Sequence, residues 1–592
     1  MPAAFVARIS RLLPSLALAA LYVLLVARHF PYAEVFEFDR DEGVNLMKAS
    51  LYADGIPLYS RIWSDQPPLF TAILARWLKA TEPTVVAGRL LVLLMAGVLV
   101  WAFCESVRLT CGTVAALAGT LMLVLSGEFV RLSVSVMIGL PALAMAMLSI
   151  CFVLYYRRGA GFIALLISGA VFGLSLQTKM FCGFLAPLLV VLVAAHSLSA
   201  LWRKNVRRGI AWRIACALLP PVLWIASAAA AFGAVCWRCG PIDWNQVIET
   251  HRTETVQRAR DAESTRMLAG METHDWADYR PLAVAGLASA LLMLRLERLL
   301  PFCWLVAGYI LLRRHEPVWY HHYMLLSVPL AWCAACGLAP ITDVFRRETR
   351  LRRCLPCNVL KPALAAGAMA IAFMPFELVV PQWLMPQQAW DSQAAQLVFP
   401  RRTIANQPPT LFLPAKFDRL RGVAAWLEGR PEPPRNSPAA AMRHRPARVF
   451  AVELRGDAKA IDRMRELAGS TRWVFTDRPI YVFRAGLKSP PETVVITKKR
   501  MAARDRALTM GQILDTIDRY KPEQVLLARL LRGNAELRRH LAGNYVSTYE
   551  GQGASFGVSR YVRRDLLQPP QPQNVPPTTR PAPTTRQQRP GP

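Results

Sequence analysis

The feature that most constrains this chain is the recurrence of apolar runs of membrane-crossing length, separated by short loops dense in Arg and Lys. Such runs lie near residues 12–30, 84–105, 111–127, 135–156, 161–176, 180–201, 212–235, 281–296, 298–312, 319–341 and 361–380. At about 20 residues per crossing they predict about eleven transmembrane helices, and hence an α-helical polytopic membrane protein. Composition agrees: 54% of residues are hydrophobic, 19% are charged and the mean hydropathy is +0.26, too apolar for a soluble domain. Arg8 and Arg11 give the first run the look of a signal peptide. Its length and the lack of a small-residue cleavage site predict an uncleaved anchor instead.

The basic loops set the orientation. With the N-terminus in the cytoplasm, the inner loops carry Arg157 and Arg158, then Arg203, Lys204, Arg207, Arg208 and Arg213, then Arg295 and Arg298, then Arg346, Arg347, Arg350, Arg352 and Arg353. All four loops agree. Residues 31–83, 236–280 and everything after about 381 are then extracytoplasmic, and the expected location is a bacterial inner membrane. These loops absorb about half of the formal net charge of +30, so nucleic acid is not an expected partner.

Four regions follow: a membrane domain over 1–400, a Pro-rich linker over 401–446, an external α/β domain over 447–567 and a disordered tail over 568–592. In the external domain, strands are predicted at Ala447 to Leu454, Trp473 to Ala485, Val494 to Thr497, Val525 to Leu527 and Tyr545 to Tyr549. Helices are predicted at Asp457 to Ala468, Ile513 to Tyr520 and Ala535 to Ala542. No Gly-rich phosphate loop and no Ser/His/Asp arrangement occurs there, which suggests an accessory role in recognising an acceptor or partner. Its basic charge would attract anionic lipid or polysaccharide.

The 12 cysteines include three CxxC pairs: Cys236 and Cys239, Cys333 and Cys336, Cys354 and Cys357. A four-cysteine zinc site needs two pairs together, and this topology puts the first and third on opposite sides of the membrane. The outer loop 236–280 mixes both signs of charge without a regular metal spacing, and reads as a solvated helix pair.

The first outer loop has its own pattern. An acidic stretch, Phe36-Glu37-Phe38-Asp39-Arg40-Asp41-Glu42-Gly43, precedes a short amphipathic helix through Val44, Leu46, Met47 and Leu51. A Gly55-Ile56-Pro57-Leu58-Tyr59 turn, the segment Asp65-Gln66-Pro67-Pro68 and a second helix from Pro68 to Leu78 follow. Both helices are expected at the interface, forming a groove at headgroup level. Carboxylates beside lipid persist where they face a cavity or a partner, so Asp41 is the expected chemical centre. The competing use of these acids is to cap the helix that follows them.

This acidic pair, with the turn, the Pro-Pro and Arg89 near the start of the next run, resembles the protein O-mannosyltransferase and aminoarabinose-transferase type of membrane glycosyltransferase, the GT-C fold. Gln177-Thr178-Lys179 is similar to that family's Thr-Lys segment, and Trp319-Tyr320-His321-His322-Tyr323 to Pro329 is similar to its late His-Tyr-Leu-x-Pro segment. The resemblance implies inverting transfer of a sugar from a polyprenyl-phosphate donor to a hydroxyl of a protein, lipid or polysaccharide acceptor on the outer face. It makes Asp41 the general base with Glu42 beside it, and gives the donor phosphate to Lys179, Arg314, His321, His322 and Arg89. Asp39, Tyr59, Asp65 and Gln66 fall in the acceptor groove.

The chain departs from the pattern at Gln66, where the family commonly has Lys, and at Met180, where Gly often follows Thr-Lys. Val136 to Pro141 lacks the second acid that many members carry, which leaves a divalent metal open. Two rival readings are a lipid-substrate transporter or flippase and an inactive scaffold presenting the C-terminal domain.

Overall fold

The computed structural model describes residues 2–351 and 451–567, except 31, 34, 125, 204–209, 250–275, 293–294, 315–317, 453–454, 498–499, 502–507, 529 and 553–556. The expected span at 361–380, the Cys354/Cys357 pair, the linker at 401–446, the tail and the helix pair of the second outer loop lie outside these residues.

The membrane part runs α1 (Pro2–His29), α2 (Glu42–Ala53), α3 (Leu69–Ala80), α4 (Val85–Cys111), α5 (Thr113–Val124), α6 (Gly127–Ser133), α7 (Gly139–Tyr155), α8 (Phe162–Thr178), α9 (Ala186–Arg203), α10 (Ile210–Cys239), α11 (Trp276–Leu292), α12 (Leu296–Arg314) and α13 (Met324–Leu351). Among the described residues, four runs are long and apolar enough to cross a membrane: Val85–Cys111, Gly139–Ala160, Met180–Ser199 and Ile214–Cys239. The run at 111–127 is not one helix, because the chain breaks at Ser126 and restarts as α6.

Polarity is inverted relative to a water-soluble bundle. Ile163, Val191, Val222, Val284 and Val306 are exposed on the outside, whereas Arg89, Glu105 and Arg131 are buried. Apolar solvent favours this arrangement, since each buried polar group must then find a partner within the protein. Helices approach closely through small residues: a Cβ on Gly169 or Gly173 of α8 would collide with the carbonyls of Trp224 and Ala228 on α10. At one end of α4, the fully buried Glu105 accepts hydrogen bonds from Ser15 of α1 (2.5 Å), Tyr155 of α7 (2.6 Å) and Arg108 (2.6 Å), tying three helices together.

At the opposite end of α4, α2 and α3 pack on each other beneath the C-terminal residues. There α14 (Arg455–Arg465), α15 (Pro479–Arg484), α16 (Met510–Tyr520) and α17 (Ala535–Asn544) accompany a four-stranded sheet. Its strands are β3 (Val474–Thr476), β4 (Gln524–Leu527), β5 (Tyr545–Gln552) and β6 (Gly557–Arg563), in the order β3-β4-β6-β5. The β3–β4 pair is parallel and the others antiparallel. Phe475, Ile513, Ile517, Val525, Leu527, Leu537 and Leu541 form the core between sheet and helices. Thr509 closes a capping box with Gln512 at the start of α16.

Three local expectations differ from the structure. Trp473 to Ala485 is not one strand: β3 ends at Thr476, and Pro479 begins a helix in which the β-formers Ile480, Tyr481, Val482 and Phe483 are buried. Pro at the first helical turn and tertiary burial outweigh β propensity there. Val494 to Thr497 is no strand, and β6 has no sequence counterpart because Gly557 to Arg563 mixes polar and apolar residues. Of the strand expected over Ala447 to Leu454, the described residues are Ala451 and Val452, and they form β2 (Ala451–Val452). It pairs antiparallel not with the sheet but with β1 (Val35–Glu37), the strand that leads into the acidic stretch.

Candidate active site

Residues 37–42 place four carboxylates within six positions, which like-charge repulsion would splay apart unless each met a cation. The structure gives each acid its own. Glu42 sits in a fully buried bidentate pair with Arg89 of α4, Nη2 to Oε2 at 2.6 Å and Nε to Oε1 at 2.8 Å. Its two oxygens also accept the backbone N–H groups of Phe38 and Val136, both at 3.1 Å. Arg89 donates further to the carbonyls of Val35 (2.7 Å) and Tyr32. Both side chains are therefore committed to holding the loop. Glu42, expected beside the base, and Arg89, expected at the donor phosphate, are thus brought together with each other.

Asp39 points elsewhere. Its Oδ1 accepts from the Asp41 N–H at 3.1 Å, and its Oδ2 lies 3.7 Å from Nδ1 of His321, on the turn between α12 and α13. Arg131 of α6 donates to the Phe38 carbonyl at 3.1 Å and adds positive charge nearby. Burial opposes ionisation of Asp39, but His321, Arg131 and the Asp41 amide outweigh it and hold the carboxyl below its ordinary range. Burial, with Lys179 and Arg131, pushes the imidazole of His321 down, while Asp39 acts in the opposite direction.

Lys179 closes α8 and lies with its Nζ 5.0 Å from the Phe181 ring centroid. A Cβ on Gly139 would be 3.9 Å from Lys179 Nζ and 3.8 Å from the His321 carbonyl. The side-chain-free start of α7 therefore borders both residues. Four separate segments meet here.

Asp41 occupies the N-cap of α2, yet its side chain makes no capping hydrogen bond and is exposed. Four and seven residues on, one helical face continues through Asn45, which donates to the Val136 carbonyl (2.9 Å), and Lys48. Lys48 is only 2% exposed and donates to Ser64 Oγ at 2.8 Å. Burial lowers its pKa, while Asp65 and Asp41 act in the opposite direction. Across from this face, Ser64 and Tyr59 both donate to the Gln66 carbonyl. Gln246, from the start of the second outer loop, accepts from the Ser64 N–H (3.0 Å) and donates to the Tyr59 carbonyl (2.9 Å). Tyr59 needs a positive φ of 67° to make this turn.

Comparison with solved structures identifies the frame. The chain superposes on ArnT from Cupriavidus metallidurans bound to undecaprenyl phosphate with a TM-score of 0.53 at 13% identity, covering 93% of this chain and 98% of ArnT. The apo state of the same protein matches with a TM-score of 0.53 at 13% identity, covering 94% and 98%. This is the GT-C fold. The archaeal oligosaccharyltransferase AglB from Archaeoglobus fulgidus aligns with a TM-score of 0.45 at 12% identity, over 94% of this chain and 75% of AglB. Residues 65–225 match the family described as dolichyl-phosphate-mannose-protein mannosyltransferase. No curated protein matches by sequence.

Within the GT-C frame the remaining predicted residues separate. His322 Nδ1 accepts from the Trp319 N–H at 3.2 Å, and its ring packs edge-on against His321, so it shapes the turn. Arg314 is exposed at the end of α12 and makes no hydrogen bond or ion pair with these described residues. Among the described residues, no group of three or more His, Cys, Asp or Glu could hold a metal. Sequence reasoning missed Lys48 and Arg131. The available signals were an i+7 spacing from Asp41 on an otherwise apolar helix, and an Arg inside a short segment between two apolar runs.

Proposed function

We propose that this chain is an integral-membrane glycosyltransferase that moves a sugar from a polyprenyl-phosphate donor to a hydroxyl on the extracytoplasmic face. The observation that carries the reading is the position of Asp41: exposed at the head of α2, without a capping hydrogen bond, and one residue before the Glu42–Arg89 lock that fixes its backbone. Asp41 takes the acceptor proton as the hydroxyl oxygen attacks the anomeric carbon. The bond from that carbon to the phosphate oxygen breaks, its electron pair leaves with the polyprenyl phosphate, and single displacement inverts the centre.

Lys179, beside the open start of α7, supplies a cation to the departing phosphate, and His321 lies next to it. Asp39 orients that imidazole, and Lys48 keeps Asp41 ionised. Tyr59, Asp65 and Gln66 line the acceptor side. The fold shared with ArnT, whose structure holds undecaprenyl phosphate, supports a lipid-phosphate donor.

Purified protein incubated with labelled polyprenyl-phosphate sugars tests this. Transfer or hydrolysis of label is expected, and Asp41→Asn should lower it by about 10²- to 10⁴-fold. Label crossing a vesicle without bond cleavage would establish a transporter instead, and a silent wild-type protein would favour a scaffold.

A further inference from the structure

Of the cations that meet the four acids, one comes from far along the chain. Arg478, 441 residues after Glu37, donates to Glu37 Oε2 at 2.5 Å, with both side chains almost wholly buried. Arg484 donates to the carbonyls of Val35 (2.9 Å) and Phe36 (2.8 Å), and its guanidinium lies 5.0 Å from the Phe36 ring centroid. The Tyr481 ring is 4.9 Å from that of Phe36.

The next turn of chain is equally engaged. A Cβ on Gly43 would sit 2.5 Å from the Ile480 backbone nitrogen, so the first turn of α2 rests on the backbone of α15. Further out, Lys488 pairs with Asp54 (2.5 Å), Arg61 with Glu492 (2.9 Å) and Tyr520 (2.7 Å), and Arg500 lies 5.3 Å from the Trp63 ring centroid.

These contacts differ in what they can do. The outer pairs are solvent-exposed and contribute little to stability. The Glu37–Arg478 pair is desolvated, a poor net stabiliser but a strong determinant of register, because removing one partner strands the other. Glu37 Oε1 is already buried without a hydrogen bond. A bare carboxylate there, close to Asp39 and Glu42, would have to protonate or leave its place.

We infer that the C-terminal unit completes the active site: Arg478 and Arg484 are positioning residues that hold the acid-bearing strand, and with it Asp39 and Asp41, in register with Lys179 and His321. Neither arginine touches substrate. Their effect reaches the chemistry through about an ångström of backbone placement, a displacement that can cost on the order of 100-fold in rate. The catalytic half of this inference rests on the glycosyl-transfer reading; the docking half does not.

The test uses the full-length protein and two readouts. Hydrogen exchange of residues 35–43 reports docking, with α7 as internal reference. Transfer kinetics report its consequence. Arg478→Ala is expected to raise exchange across 35–43 while α7 stays protected, and to lower kcat about 10- to 100-fold with KM for the lipid donor within about twofold. Arg478→Lys should restore part of both. Should Arg478→Ala not fold, Arg484→Ala removes the carbonyl and Phe36-ring contacts while leaving the Glu37–Arg478 pair, and is expected to give the same pattern at smaller amplitude.

Unchanged exchange at 35–43 in both alanine variants overturns the docking role. Raised exchange with unchanged kcat overturns the positioning role. If wild-type protein transfers no label, the glycosyl-transfer reading and the positioning role fall, while the exchange result still decides docking.

Discussion

The two ends of α4 each bury a carboxylate, and they do so to different purposes. At one end Glu105 is saturated by Ser15, Tyr155 and Arg108. At the other, Glu42 and Arg89 neutralise each other, while Asp39 lies 3.7 Å from His321 and Asp41 is exposed. Saturation marks a joint between helices. The less saturated end is where the proposed transfer would receive a substrate's proton and phosphate.

The largest effect that would break this contrast is catalytic: Asp41→Asn should lower transfer about 10²- to 10⁴-fold in a lipid-linked sugar assay. Arg89→Ala should instead destabilise the fold by about 3–5 kcal/mol, read as a fall in the unfolding midpoint, since it strands a buried carboxylate. Glu105→Gln, at the saturated end, is expected to cost about 1–3 kcal/mol with kcat unaltered. Loss of turnover there would erase the distinction between the two ends.

How much of this was legible in the sequence depended on whether the cause was local. The apolar runs show where helices form, and the alternation of acids and apolar residues before Gly43 marks the loop that matters. The pairing of each acid with its cation was not visible. Arg89, Arg131 and Arg478 lie 47, 93 and 441 positions from the groups they meet, and nothing in a neighbouring residue announces such a partner. Glu42 and Asp41 are adjacent and chemically alike, yet one locks the loop and the other faces water. Helix direction and the reach of Arg89 decide between them. For the same reason the sequence of α15 reads as a strand: its apolar residues fit either element, and Pro479 with the surface of α2 selects the helix.

Two smaller effects sharpen the comparison. Lys48→Met should move the acidic limb of the kcat/KM profile to higher pH, because a positive charge that favours ionised Asp41 and Asp65 is removed. An unmoved profile would restrict Lys48 to its bond with Ser64. Glu37 offers the mildest test. Burial pushes its carboxyl up to about 7 despite Arg478, so the docked form binds a proton that the undocked form, near 4.5, releases. Its contribution is full below about 4.5 and is lost as pH rises through about 7. Exchange protection of residues 35–43 should weaken over that window in wild-type protein and stay flat in Glu37→Gln.

The pairing of Val35 with Val452 and Glu37 with Ala451 also dictates an order of birth. A ribosome releases the strand β1 ahead of nearly all of the membrane part and supplies its mate only after that part has been made. Until then the loop keeps an unmatched edge. Completion of the acid-bearing strand accordingly waits for a distant stretch of chain, and a nascent chain stopped before residue 451 would lack the mate of β1.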